Sequence, residues 1–147
     1  MGNEEELGRL EGELQMQQAR GEAIRQQIQS MQSSSLEVAA AIEALQNIKK
    51  VKGDTLVPVG AGVYFSCPKP DFERVVMNIG AGVMVQKKPD EAQGILLDRQ
   101  KKLADALKSA QDDMSQVISS IEGLTRRASA IAAEEERNVR PSEKQAR

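Results

Sequence analysis

Residues 53–87 read GDTLVPVGAGVYFSCPKPDFERVVMNIGAGVMVQK, and this stretch decides the fold. Val59-Gly-Ala-Gly-Val63 returns as Ile79-Gly-Ala-Gly-Val83, an internal repeat offset by 20 residues. Short runs rich in β-branched and aromatic residues, at 55–59, 63–67, 74–79 and 83–87, flank the repeats and are bounded by Gly, Pro or Asp. The reading is two β-hairpins. Gly60 and Gly62, and then Gly80 and Gly82, supply residues free to take the positive φ that tight hairpin turns require. Lys69-Pro70-Asp71 joins the hairpins through a loop. A Gly-Ala-Gly after a strand is also half of a dinucleotide-binding fingerprint. Here the third glycine is missing, strand-like Val-Tyr-Phe and Val-Met-Val follow, and no Gly-Lys-Ser/Thr occurs.

On both sides of this stretch the apolar period changes from strand-like to helical. A 3,4 spacing picks out Leu7, Leu10, Leu14, Gln17, Gly21, Ile24, Ile28, Met31, Ser35, Val38, Ile42, Leu45 and Lys49, and nine of these thirteen are large apolar residues. The same template from Leu96 gives Gln100, Leu103, Leu107, Ala110, Met114, Val117, Ile121, Leu124, Ala128, Ile131 and Glu135, with ten of twelve apolar. A mean spacing of 3.5 sustained this long is a coiled-coil seam, because an unwound helix drifts ~20° per heptad away from it. Two seams of similar length in one chain suit an antiparallel pair. With facing positions summing to 145, Ile24 meets Ile121, Ile28 meets Val117, Met31 meets Met114, Val38 meets Leu107, Ile42 meets Leu103 and Gly21 meets Leu124. At ~1.5 Å per residue the arm is about 65 Å long. Ser34-x-x-Glu37 is also a capping-box pattern able to start a new helix, although the heptad phase runs through it.

The expected fold is therefore α+β and mainly α: a long antiparallel two-helix coiled coil joined by two β-hairpins. The divisions are 1–52 for the first helix, 53–88 for the hairpins, 89–136 for the second helix and 137–147 for a disordered tail. Gly53 ends the first arm, and Pro89-Asp90-Glu91 opens the second with a proline and two acids, as a helix N-terminus prefers.

Composition narrows the function. One Tyr, two Phe and no Trp leave little aromatic area for a compact core. With no His and a single Cys, no zinc site, Ser-His-Asp triad or Cys-His pair can be built, so neither a metal nor another cofactor is expected, nor an enzyme. Cys67 reads as a buried or half-buried thiol. The 20 basic and 22 acidic residues are interspersed and give a net charge of −2, which does not recruit nucleic acid. The lysines at 49, 50, 52, 87 and 88 read as solvated ends of elements, since no aromatic residues interleave to stack bases. No window approaches the ~20 apolar residues of a membrane span, and Gly2 to Arg9 is acidic rather than a basic leader, so a cytoplasmic protein is expected. Glu6 stands where a myristoylation signal favours Ser or Thr.

Two isolated hairpins of ~5-residue strands are marginal in water. Val57, Val59, Val63, Phe65, Val75, Met77, Val83 and Val85 are expected to find partners in other subunits and close an intersubunit β-barrel. At the far end of the arm, Leu7, Leu10 and Leu14 lie near Ile131 and the acidic run 134–136, with Val139 beyond. Gly8, Gly12 and Gly21 interrupt this part of the first helix, and each glycine costs ~1 kcal/mol relative to Ala, so this end frays most readily.

Helix, two Gly-Ala-Gly hairpins, helix is a pattern that resembles the α-class subunits of the prefoldin family, in an archaeal-type layout. The resemblance spans the whole architecture, its specific motifs lie in 53–92, and the arms match in heptad character and length. It implies an ATP-independent co-chaperone hexamer of two α-class and four β-class subunits, a double β-barrel body and six coiled-coil tentacles. The β class resembles this layout with one hairpin, so two hairpins point to the α class. It further implies that non-native polypeptides bind at the arm tips, here Leu7, Leu10, Leu14, Ile131 and Val139, and pass to a group II chaperonin. The alternative is a structural or adaptor coiled coil whose arms dock one specific folded partner.

Overall fold

The computed structural model describes residues 2–69 and 71–145, with side chains described as far as Arg140; the loop expected at Pro70 has that residue outside the described ones, as does the end of the tail at 146–147. Among the described residues the chain forms two helices and four strands. They run in the order α1 (Gly2–Ile48), β1 (Thr55–Gly60), β2 (Val63–Cys67), β3 (Val75–Gly80), β4 (Val83–Lys87) and α2 (Pro89–Gln145). Two long helices packed antiparallel and joined by two hairpins are the expected fold class.

Both helices follow from composition. Ala, Leu, Gln, Glu, Lys and Arg fill them, residues that lose little side-chain freedom on entering a helix. Exposed pairs one turn apart add a few tenths of a kcal/mol each, such as Lys102–Asp98 at 3.0 Å and Arg25–Glu22 at 2.6 Å. α1 runs through Ser33, Ser34 and Ser35 without a break and ends at Ile48 in a tight turn, where Lys50 N–H donates to the Asn47 carbonyl at 2.9 Å. The capping-box serine therefore starts no second helix. α2 opens on Pro89 with Asp90 and Glu91 in its first turn. It continues to Gln145, so the segment from 137 that was expected to be a disordered tail is helical that far. Side chains near its end fold back along the helix, Arg137 Nε donating to the Ala133 carbonyl at 3.4 Å and Arg140 lying 3.8 Å from Glu136.

The chain divides into two units. The first comprises 1–31 with 106–147. Its seam buries Ile24, Ala110 and Val117, against which Ile28, Met31, Met114 and Ile121 pack. Full burial of each large aliphatic contributes about 1.5–3 kcal/mol. Val117 lies directly opposite Gly21, so facing positions here sum to 138. The expected register of 145 had put Leu124 opposite Gly21. The true register differs by one heptad, a shift that keeps every seam residue on the seam.

The second unit comprises 32–105 and holds the hairpins. Each hairpin is its own two-stranded sheet. Their registers repeat residue for residue: Thr55 pairs with Cys67 and Val75 with Lys87, and a bulge falls between Pro58 and Gly60 and again between Asn78 and Gly80. Gly60 and Gly80 sit at φ 126°, which only glycine adopts without strain. The two central turn residues both take positive φ, Ala61 at 50° and Gly62 at 78°, as a type I′ turn requires. Ile42, Ala92 and Leu96 form the buried apolar positions of this unit.

Candidate functional site

The hairpins share a backbone but not an environment. In β3 and β4 the half-buried positions are Val75, Met77, Val85 and Lys87, one face of the hairpin. Val75 and Met77 line a cavity of about 390 Å³ whose other walls include Ala41, Leu45, Ala92 and Leu96. Arg99 Nη2 donates to the Asn78 carbonyl at 2.9 Å and ties the strand to α2, while Lys49 reaches Asp90 at 3.4 Å across the helix ends. The repeat places Val57 and Phe65 where this hairpin has Met77 and Val85, yet both are exposed. In the first hairpin only Thr55 and Cys67 are half-buried.

The residues expected at an intersubunit barrel therefore divide. Val57, Val59, Val63, Phe65 and Val83 stand exposed on the strands. Val75, Met77 and Val85 are half-buried, the first two against the chain's own helices. Sequence reasoning missed Ile79, the counterpart of Val59 in the repeat, and the whole of the opposite face. Leu56, Tyr64, Val76, Ile79 and Met84 are also exposed, making ten large apolar side chains open to solvent on four short strands. The signal was present, since these strands are apolar at odd and even positions alike, the mark of a sheet covered on both sides. Gly60, Gly62, Gly80 and Gly82 all occupy the hairpin turns at positive φ. Ala61 and Ala81 share that conformation, although their Cβ atoms oppose it.

At the other candidate site the five expected tip residues are not equivalent. Leu10 is 1% exposed and Ile131 9%, so both are seam core. Leu7 and Leu14 are half-buried. Val139 is 58% exposed. Arg127 closes an ion pair with Glu6 across the two helices. Sequence reasoning missed Met16, 73% exposed, which with Glu13, Gln17, Ser120, Leu124 and Arg127 lines a groove of about 480 Å³. Met16 lies off the 3,4 template, so a search for seam residues passes over it.

Neither helix among the described residues is long and apolar enough to cross a membrane. A family model described as Prefoldin subunit matches residues 17–134. The chain is 30% identical over 132 residues to the prefoldin subunit alpha of Pyrococcus horikoshii, covering 88% of this chain and 89% of that one. It is 35% identical over 113 residues to the corresponding subunit of Methanopyrus kandleri, covering 76% and 72%. Among solved structures it resembles filamentous PFD from Methanocaldococcus jannaschii, with a TM-score of 0.66 at 20% identity over 77% of this chain and 95% of that one. It also resembles the prefoldin beta subunit from Thermococcus strain KS-1, with a TM-score of 0.55 at 19% identity over 85% and 90%. These two likenesses concern the fold. Together with the repeated Gly-Ala-Gly hairpins, the family match and the relatives place the chain in the prefoldin family of non-enzymatic chaperones, as one of its α-class subunits.

Proposed function

We propose that this chain works as the α-class part of an ATP-independent co-chaperone in the cytoplasm, assembled as two such subunits with four β-class subunits. In this reading the hairpins build the shared barrel body. The arms hold non-native polypeptides and pass them to a group II chaperonin. The observation that carries the proposal is the ten exposed apolar side chains on the strands: a chain that folds this way leaves its sheets uncovered until other subunits cover them. Once several arms hang from one body, contacts that are individually weak at the arm ends act together.

The test uses the assembled complex and a denatured protein diluted from guanidinium, followed by light scattering. The complex is expected to suppress aggregation without ATP, and a version lacking 1–14 and 128–147 is expected to assemble but suppress poorly. If the shortened complex suppresses as well as the full one, the arm ends are not the binding site. If only one folded protein is bound and no denatured chain is held, the adaptor reading replaces this one.

A further inference from the structure

We propose that strands of β-class subunits join this chain at the outer edges of β2 and β4, pairing with the backbone of Tyr64 and Ser66 and of Met84 and Gln86, whereas the outer edges of β1 and β3 are closed to them. The joint rests on the co-chaperone reading above and deepens it, because it names the edge of each hairpin that a partner uses.

Opposed residues in an antiparallel pair alternate between those that exchange both backbone hydrogen bonds and those whose N–H and C=O groups point away from the partner strand. Pro58 decides which is which. It lies opposite Tyr64 in the ladder and has no N–H, so it fits where that group would point outward. Tyr64 therefore also turns its backbone groups outward, and alternation gives the same to Leu56 opposite Ser66. The second hairpin repeats the register, so Asn78 and Met84, then Val76 and Gln86, are its outward pairs. An independent contact agrees: Arg99 Nη2 donates to the Asn78 carbonyl at 2.9 Å, reaching it from outside the hairpin.

The four edges are not alike. On β1, Pro58 offers no donor to an added strand, and leaving that strand's carbonyl unpaired in a buried joint is unfavourable. On β3, the Arg99 guanidinium already holds the Asn78 carbonyl and stands where an added strand's N–H would come. β2 and β4 contain no proline. Among the described residues, no hydrogen bond from outside the hairpin reaches the backbone groups of Tyr64, Ser66, Met84 or Gln86. An edge with every donor and acceptor in place is a template for an extended strand. Each copy of the chain thus offers two open edges. Four β-class subunits shared between two copies come to two for each, one per edge, and that match favours a β-class strand over a second copy as the occupant.

Native mass spectra of the full chain mixed with its β-class partner across a dilution series, together with amide hydrogen exchange, test the joint. Ser66→Pro and Gln86→Pro each remove one outward N–H at an exposed polar position. Each is expected to raise the concentration at half-assembly about tenfold, equivalent to roughly 1.4 kcal/mol. Ser66→Ala and Gln86→Ala, which keep the N–H, are expected to stay within about twofold. So is Asn78→Pro, which copies Pro58 onto an edge already closed. In the parent, the amides of Tyr64, Ser66, Met84 and Gln86 are expected to exchange fast in the isolated chain and slowly in the complex, with Leu56 and Val76 fast in both. Equal losses in all three proline variants, or unchanged exchange at the four amides, would overturn the assignment of edges and leave the co-chaperone reading standing. Protection already present in the isolated chain makes a second copy the occupant and overturns the β-class assignment. If a proline variant loses its hairpin, seen as lost protection at Val63 or Val83, the exchange pattern of the parent decides. A chain that forms no complex with a β-class subunit overturns both the joint and the reading beneath it.

Discussion

Gly21 and Val117 meet across the arm so closely that a Cβ built on Gly21 would lie 3.3 Å from Val117 Cγ1. Val117 is 1% exposed, so it has little room to retreat. Gly8 and Gly12, on the same helix, have nothing within 4 Å of the equivalent position. Replacing an unhindered helical glycine by alanine stabilises a helix by ~1 kcal/mol. Gly12→Ala is therefore expected to stabilise the arm by about that amount. Gly21→Ala is expected to yield clearly less, because the same gain is set against crowding of Val117. Denaturant unfolding of both variants, with Val117→Ala alone and combined with Gly21→Ala, checks this: the combined variant should recover the missing part. Additive effects would mean that the close approach carries no energy.

The same contact explains where sequence reasoning went astray. Heptad spacing places each residue on the seam or off it, and the seam residues Ile24, Ile28, Met31, Met114, Val117 and Ile121 do pack together. Sliding one helix by seven residues preserves all those assignments, so periodicity is blind to register. What separates the two registers is the fit of individual layers, and Gly21 accepting Val117 is a fit of shape that a count of apolar positions does not register. The hairpins were legible for the opposite reason, because Gly60-Ala-Gly62 and Gly80-Ala-Gly82 specify a backbone conformation rather than a side-chain pattern. Their orientation was not legible. Strands apolar on both faces do not announce which face meets the chain's own helices.

That conformation sets up the second prediction. Ala61 and Ala81 hold φ at 50°, a region that costs an ordinary L-residue roughly 1–2 kcal/mol. Ala61→Asn and Ala81→Asn are expected to stabilise their hairpins by about 0.5–1 kcal/mol, since Asn tolerates this region and suits type I′ turns. Gly60→Ala and Gly80→Ala, at φ 126°, are expected to destabilise by about 1–3 kcal/mol. Amide hydrogen exchange at Val63 and Val83, whose residues pair across the turns, reads each hairpin separately. Protection that falls in the Asn variants would contradict the turn assignment.

The outward faces of the strands carry a third. Tyr64→Ser with Met84→Ser removes two exposed apolar groups that the chain itself does not cover. The isolated chain should keep its helix content, because surface changes of this kind shift stability by no more than ~0.5 kcal/mol. Assembly with a β-class partner should weaken, by an amount read in native mass spectra across a dilution series. A complex that assembles at the parent concentration would place the interface on the other face of the strands.

The arm end gives the last. Leu10 is core and Val139 is not, although both were expected from sequence to touch substrate. Leu10→Ala should destabilise the first unit by about 2–5 kcal/mol, the usual range for emptying a well-packed aliphatic site. Because one end of the seam would then open, this variant should expose Leu7 and Leu14, now half-buried, and its capture of denatured protein should rise or hold even as its unfolding midpoint falls. Val139→Ser should change stability by less than ~0.5 kcal/mol. If it lowers capture, a side chain open to solvent is used directly; if Leu10→Ala lowers capture instead and Val139→Ser does not, the closed seam is the binding form and the arm end acts as a rigid surface. Thermal unfolding and the scattering assay on the same two assembled variants separate these cases, because stability and capture are read independently in each.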